Sequence, residues 1–140
     1  MAQEIRIQET LKASPQEVFD YLADHEKFVA LFGGQGRRIV DGAETPNGLG
    51  SVRRIGAGPI AFEETITAFE PPHRIEYRIT RGSPLRDHRG EIRLSAEGAG
   101  TRLDYQIQFR GRLPLIGHIV AAALRAGWRR HARRQLQSLG

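Results

Sequence analysis

Apolar and polar positions alternate along most of this chain, and the alternation gives way to helical spacing in two places. From Glu4 to Leu11, Ile5, Ile7, Glu9 and Leu11 share one face against polar neighbours, the period-two pattern of a strand. Ser14-Pro15-Gln16-Glu17 then reads as a helix start: Ser14 caps, Pro15 suits the first turn, and Glu17 completes a capping box. Val18, Tyr21 and Leu22 supply that helix's apolar face. Asp24-His25 interrupts it. A second short helix is expected over Glu26 to Leu31, carrying Phe28, Leu31 and Phe32 before Gly33-Gly34 ends it.

Strands follow at Arg38 to Ala43, Gly50 to Gly56, Ile60 to Phe69, Arg74 to Arg81, Asp87 to Ala96 and Thr101 to Arg112. Turn chemistry separates them: Pro46-Asn47-Gly48, Gly58-Pro59, Pro71-Pro72, Gly82-Ser83-Pro84 and Glu97-Gly98-Ala99-Gly100. Such short connections imply an antiparallel meander. Pro114 to Leu139 returns to helical spacing. Val120, Leu124, Trp128 and Leu139 fall on one side, with His131 and Gln135 beside Trp128. Arg125, Arg129, Arg130, Arg133 and Arg134 take the other side or its flanks.

The order is therefore strand, two short helices, about six strands, one long helix. That order predicts an α+β domain over residues 1–140, a strongly curved antiparallel sheet of six to seven strands wrapped around the terminal helix. A curved sheet cannot touch a straight helix everywhere, so a gap opens between them unless large side chains fill it.

Composition narrows the chemistry. Without cysteine there is no disulfide and no thiolate. No apolar run approaches membrane-spanning length, and MAQEIRIQET is a strand pattern rather than a secretory signal, so a cytoplasmic protein is expected. The net charge is +5, yet the arginines are spread over every segment. Nucleic acid binding would need clustering and is not expected. The one denser cluster, Arg125 to Arg134, offers a face for transient contact with an anionic membrane. No histidine pair has metal-ligand spacing, so neither metal nor cofactor is expected. Ser14, Ser51, Ser83, Ser95 and Ser138 have cap, turn or solvent-face explanations.

The hairpin from His88 to Phe109 raises a sharper question. Pairing across the turn sets Leu94 against Leu103, Ile92 against Tyr105, Gly90 against Ile107 and His88 against Phe109. One face should be plain core, yet it holds a histidine, a phenol and a missing side chain at Gly90. Arg89, Glu91 and Arg93 point the other way, toward water. In the strand bearing Phe62, Glu64 and Ile66, Glu64 points inward and needs a partner. Arg53 or Arg54 on the preceding strand can supply it, and the double arginine leaves open which one faces in. Tyr77 also faces inward.

These patterns resemble the START-like superfamily, also called SRPBCC or polyketide cyclase/dehydrase-like. The resemblance rests on "ASPQEVFDYLADHEKF" (Ala13 to Phe28), "GLGSVRRI" (Gly48 to Ile55), "FEETITAFEPPHRIEYRIT" (Phe62 to Thr80), "GEIRLSAEGAGTRLDYQIQF" (Gly90 to Phe109) and the terminal helix. It implies a helix-grip fold with a hydrophobic ligand cavity between sheet and helix. The residues expected to line it are Phe28 and Phe32 as gate residues, Arg53 or Arg54, Phe62, Glu64, Tyr77, His88, Gly90, Tyr105, Ile107, Phe109, Val120, Leu124 and Trp128. Three functions follow. The first is a carrier of a small hydrophobic molecule such as a lipid, quinone or polyketide-like aromatic. The second is a metal-free cyclase/dehydrase in which His88, Tyr105, Glu64 and an inward arginine move protons. The third is a protein-interaction module with a filled core. Monomer and homodimer are both open.

Overall fold

The structure is a computed structural model describing residues 2–83, 85–111 and 114–140. The first strand, β1 (Ala2–Leu11), leads into α1 (Pro15–Ala23) and α2 (His25–Leu31). Ser14 caps α1, its Oγ accepting from Glu17 N–H at 3.3 Å. Asp24 serves both helices. Its own N–H closes α1 onto Tyr21, and its carboxylate accepts from Lys27 N–H at 3.0 Å to start α2. That one residue turns the chain without a loop, so α2 begins at His25 and lies beside β2.

Six strands complete the sheet: β2 (Gly36–Val40), β3 (Val52–Ile55), β4 (Phe62–Glu70), β5 (Arg74–Arg81), β6 (Leu85–Glu97) and β7 (Gly100–Gly111). All neighbours are antiparallel, in the order β1-β7-β6-β5-β4-β3-β2. The meander from β2 to β7 is thus closed by β1 returning alongside β7. Expected and observed strand limits differ by up to three residues; Pro84 and the Arg112 end of the last expected strand lie outside the described residues.

Three segments build the terminal helix: α3 (Pro114–Gly127), a π turn (Trp128–Ala132) and α4 (Arg133–Gln137). The π turn corrects the expected helical face. Trp128, Ala132 and Leu136 are buried, while His131 and Gln135 are exposed. In a regular helix each step of four residues drifts about 40° around the axis. The wider π turn absorbs that drift and keeps all three residues on the sheet. Trp128 is pinned further: its Nε1–H donates to Glu9 Oε2 at 2.7 Å, and Arg133 Nε donates to the same oxygen at 2.9 Å. No helix among the described residues is long and apolar enough to cross a membrane.

The core lies between the sheet's inner face and the helices, with Ile5, Val18, Phe19, Leu22, Ile92, Leu94, Leu103 and Leu136 fully enclosed. The outer face departs from the expectation of simple solvation. Glu76 and Glu91 are buried there, roofed by arginines. Glu91 accepts from Arg74, Arg89 and Arg93, and Glu76 from Thr67, Arg74 and Arg89. Burial alone raises both carboxyl pKa values; these hydrogen bonds more than offset it and leave both below the usual range.

Candidate functional site

The sheet and helices border a partly open cavity of about 240 Å³. Its walls come from α2 (Phe28, Val29), the residue Phe32 that ends it, Gly34, β3 (Ile55), β4 (Phe62, Glu64), β5 (Tyr77, Ile79), β6 (Leu85, His88), β7 (Tyr105, Ile107) and α3 (Val120, Leu124). The third expected function required a filled interior, and this space contradicts that requirement.

Several expected wall residues stand elsewhere. Arg53 and Arg54 are resolved by register: Arg53 pairs with Glu64 across β3 and β4 and is buried, whereas Arg54 pairs with Glu63 and faces out. Arg53 itself sits behind Glu64 rather than in the cavity wall. Gly90 is not a gap. It opposes Tyr77 in the ladder, and a Cβ added there would stand 2.2 Å from Tyr77 Cζ, so the ring fills the space. Phe109 is buried in the core, outside the lining. Trp128 also lies behind the wall, its ring against Tyr105 (5.7 Å between centroids) and Phe32 (6.2 Å). Phe28 is interior wall rather than gate. It is buried, edge-on to Tyr77 at 5.4 Å, with the Arg53 guanidinium 4.3 Å from its ring centre.

The polar groups form a connected chain. Arg53 Nε donates to Glu64 Oε1 at 2.8 Å. Nη2 lies 2.8 Å from the same oxygen but off the hydrogen-bond axis, so it makes an ion-pair contact without a directed bond. Arg53 Nη1 reaches His25 Nδ1 at 3.4 Å. Arginine only donates, so Nδ1 accepts, and His25 Nε2–H then donates to Ser51 Oγ at 3.0 Å. Ser51 is fully buried and bonded to His25, a correction to the cap, turn or solvent-face explanation expected for it. His25 was not expected here either, although its place after a helix-capping aspartate, ahead of the apolar run of α2, was the available signal. Burial first, then the Arg53 charge, lowers the His25 pKa to about 4.

At the other end, Glu64 Oε2 lies 4.0 Å from His88 Nε2, beyond hydrogen-bond range. His88 Nδ1 accepts from the Ile79 backbone N–H at 3.2 Å. That bond fixes the tautomer: the proton sits on Nε2, which faces Glu64. The β5–β6 ladder ends at Tyr77 opposite Gly90, and the His88 ring takes up an N–H left beyond it. A bulge in β6 makes this possible. Asp87, with φ of 50°, and His88 together oppose Phe109, not His88 alone as expected. The extra residue reverses the alternation, which turns both Leu85 and His88 toward the cavity. Strict alternation sends Leu85 outward, and so Leu85 was not expected in the wall.

Burial first, then the Arg53 charge, lowers the His88 pKa to about 4. Burial raises that of Glu64, with Arg53 limiting the rise. The Tyr77 and Tyr105 hydroxyls bond to each other, and burial raises both phenols. The wall is therefore apolar, with the Glu64 carboxyl group, an imidazole that burial keeps neutral at pH 7 and a paired phenol couple, while Arg53 stands behind Glu64 as its ion-pair partner.

A curved seven-stranded sheet gripping a terminal helix around such a cavity defines a class, and comparison with known proteins agrees. The sequence model of the family described as polyketide cyclase / dehydrase and lipid transport matches residues 2–140, and the chain belongs to that family. No curated protein matches it in sequence. Among solved structures it is similar to a START superfamily protein from Mycobacterium smegmatis (TM-score 0.74, 13% identity, 96% of this chain and 94% of that one). It is also similar to DR_A0006 from Deinococcus radiodurans (TM-score 0.66, 19% identity, 98% and 99%) and CalU16 from Micromonospora echinospora (TM-score 0.60, 18% identity, 97% and 82%). At these identities the likeness shows the fold.

Proposed function

We propose that this protein binds a small, mostly apolar molecule in the cavity and acts as a carrier or receptor for it rather than as a cyclase. The observation that carries this reading is the engagement of the polar groups. A general base must present an unprotonated atom to its substrate. His88 presents Nε2–H, because its other nitrogen is held by Ile79 N–H. Tyr77 and Tyr105 are tied to each other. Of the polar side chains described in the cavity wall, only Glu64 offers a carboxyl oxygen free of hydrogen bonds, and a lone carboxyl group suffices to hold a ligand. The volume, about 240 Å³, lies just below the roughly 300–1,000 Å³ of common ligand sites, which favours a compact ring system over a whole diacyl lipid.

Native mass spectrometry of the purified protein, followed by denaturing extraction, tests the reading. The expected result is a co-purifying molecule of one or two rings, recovered unchanged after incubation with the protein. An empty protein that also excludes a hydrophobic fluorescent probe overturns it. Conversion of the recovered molecule, abolished in Glu64→Gln, replaces the carrier with the cyclase.

A further inference from the structure

On the ligand-binding reading above, the gap between Glu64 and His88 bears on the chemistry of the ligand's polar group. Both side chains are more than nine-tenths buried and both line the cavity. Glu64 Oε2 is an acceptor without a hydrogen bond, and His88 Nε2–H is a donor without one. They stand 4.0 Å apart, too far to bond to each other and close enough for one oxygen atom to reach both.

We propose that this donor–acceptor pair seats a neutral hydroxyl carried on an apolar ring. The hydroxyl hydrogen donates to Glu64 Oε2, and the hydroxyl oxygen accepts from His88 Nε2–H. A carboxylate of the same size cannot donate to Glu64, and it meets that carboxylate's charge head on. Nothing in the wall compensates, for no arginine or lysine lines the cavity among the described residues. The nearest cation, Arg53, is already committed to Glu64 Oε1. A plain hydrocarbon ring fits the apolar wall but leaves both polar atoms desolvated and unpaired, at a cost of about 1–3 kcal/mol for each buried group. Hydroxyl is therefore preferred over hydrogen and over carboxylate at that position.

Three probes of one shape read this directly: naphthalene, 2-naphthol and 2-naphthoate, titrated calorimetrically into the intact protein at pH 7. The expected result is 2-naphthol binding at least about tenfold more tightly than naphthalene, with 2-naphthoate weakest. In His88→Leu, naphthalene binding persists and the preference for 2-naphthol collapses toward unity. Equal affinity for naphthalene and 2-naphthol in the native protein overturns the hydroxyl seat and leaves the apolar cavity standing. Tightest binding of 2-naphthoate overturns it in favour of a cationic site. An undiminished 2-naphthol preference in His88→Leu overturns His88 as the donor. Failure of all three probes overturns the cavity reading and the hydroxyl seat together.

Discussion

Arg53 and Glu64 face each other directly across β3 and β4, and the arginine's Nε meets the carboxylate at 2.8 Å with both side chains buried. The guanidinium also lies over two rings, 4.3 Å from the centre of Phe28 and 4.7 Å from that of Tyr77. Burying two charges is costly, and this pair is tolerable because each neutralises the other. Removing one partner is therefore worse than removing both. Arg53→Met is expected to lose about 3–5 kcal/mol, and Arg53→Met with Glu64→Leu to regain most of it. Urea denaturation of the two variants checks this. A double variant as unstable as the single one refutes the pairing as the source of the cost.

Gly90 exists to admit the Tyr77 ring. Gly90→Ala places a methyl group 2.2 Å from Tyr77 Cζ, inside any allowed contact. The ring is held by Phe28 and by the Tyr105 hydroxyl, so it has no easy retreat. A loss of about 1–3 kcal/mol is expected, as for other overpacked sites. Gly90→Ala combined with Tyr77→Leu should recover part of that loss. Thermal denaturation of both variants decides it, and a Gly90→Ala protein as stable as the native one rejects the steric account.

His25 and His88 make stability depend on pH. Burial, helped by Arg53, lowers both pKa values to about 4 from the usual 6.5. The unfolded chain therefore binds more protons than the folded one between these values. The contribution is full above pH 6.5 and lost as pH falls toward 4, on the order of 3 kcal/mol for each histidine. Glu64 acts in the opposite sense. Its raised pKa removes stability as pH rises above 4.5, which partly offsets the histidine slope. Denaturation free energies at pH 7, 5.5 and 4.5 should fall in that order, and His88→Gln should make the slope shallower. A flat profile from pH 7 to 5 contradicts the assignment of two neutral buried imidazoles.

Glu9 ties the terminal helix to the first strand. It accepts from the Trp128 indole at 2.7 Å and from Arg133 at 2.9 Å. Trp128→Phe keeps an aromatic ring but removes one donor from a mostly enclosed carboxylate. A loss of about 1–3 kcal/mol follows, with faster amide exchange in β1 and in residues 128–136. Exchange measured by mass spectrometry on the variant checks the location. Protection unchanged in β1 would remove Glu9 as the anchor.

Local patterns were legible wherever neighbours in sequence are neighbours in space. Ser14 caps its helix as its spacing implies, and the β6–β7 register from Leu94 opposite Leu103 to Gly90 opposite Ile107 follows from alternation and a tight turn. The inward faces of Glu64, Tyr77 and Tyr105 follow from the same period of two. Alternation fails where a backbone irregularity intervenes. The extra residue at Asp87 reverses the parity of β6 and brings Leu85 into the wall. The π turn likewise moves His131 and Gln135 out and Ala132 in.

By itself the sequence determined the α+β order, the family, and a curved sheet with polar residues on its inner face. These depend on hydrophobic periodicity and turn chemistry, which act over a few residues. Only the tertiary structure decided that Arg53 rather than Arg54 faces in, that Tyr77 occupies the space beside Gly90, and that His25 and Ser51 brace the buried charges. It also decided which nitrogen of His88 faces Glu64, through a backbone N–H nine residues away. Each of these depends on which strand lies opposite which, and on the exact point where the ladder between β5 and β6 ends. Pairing across a sheet is a long-range choice, settled by the packing of the whole chain.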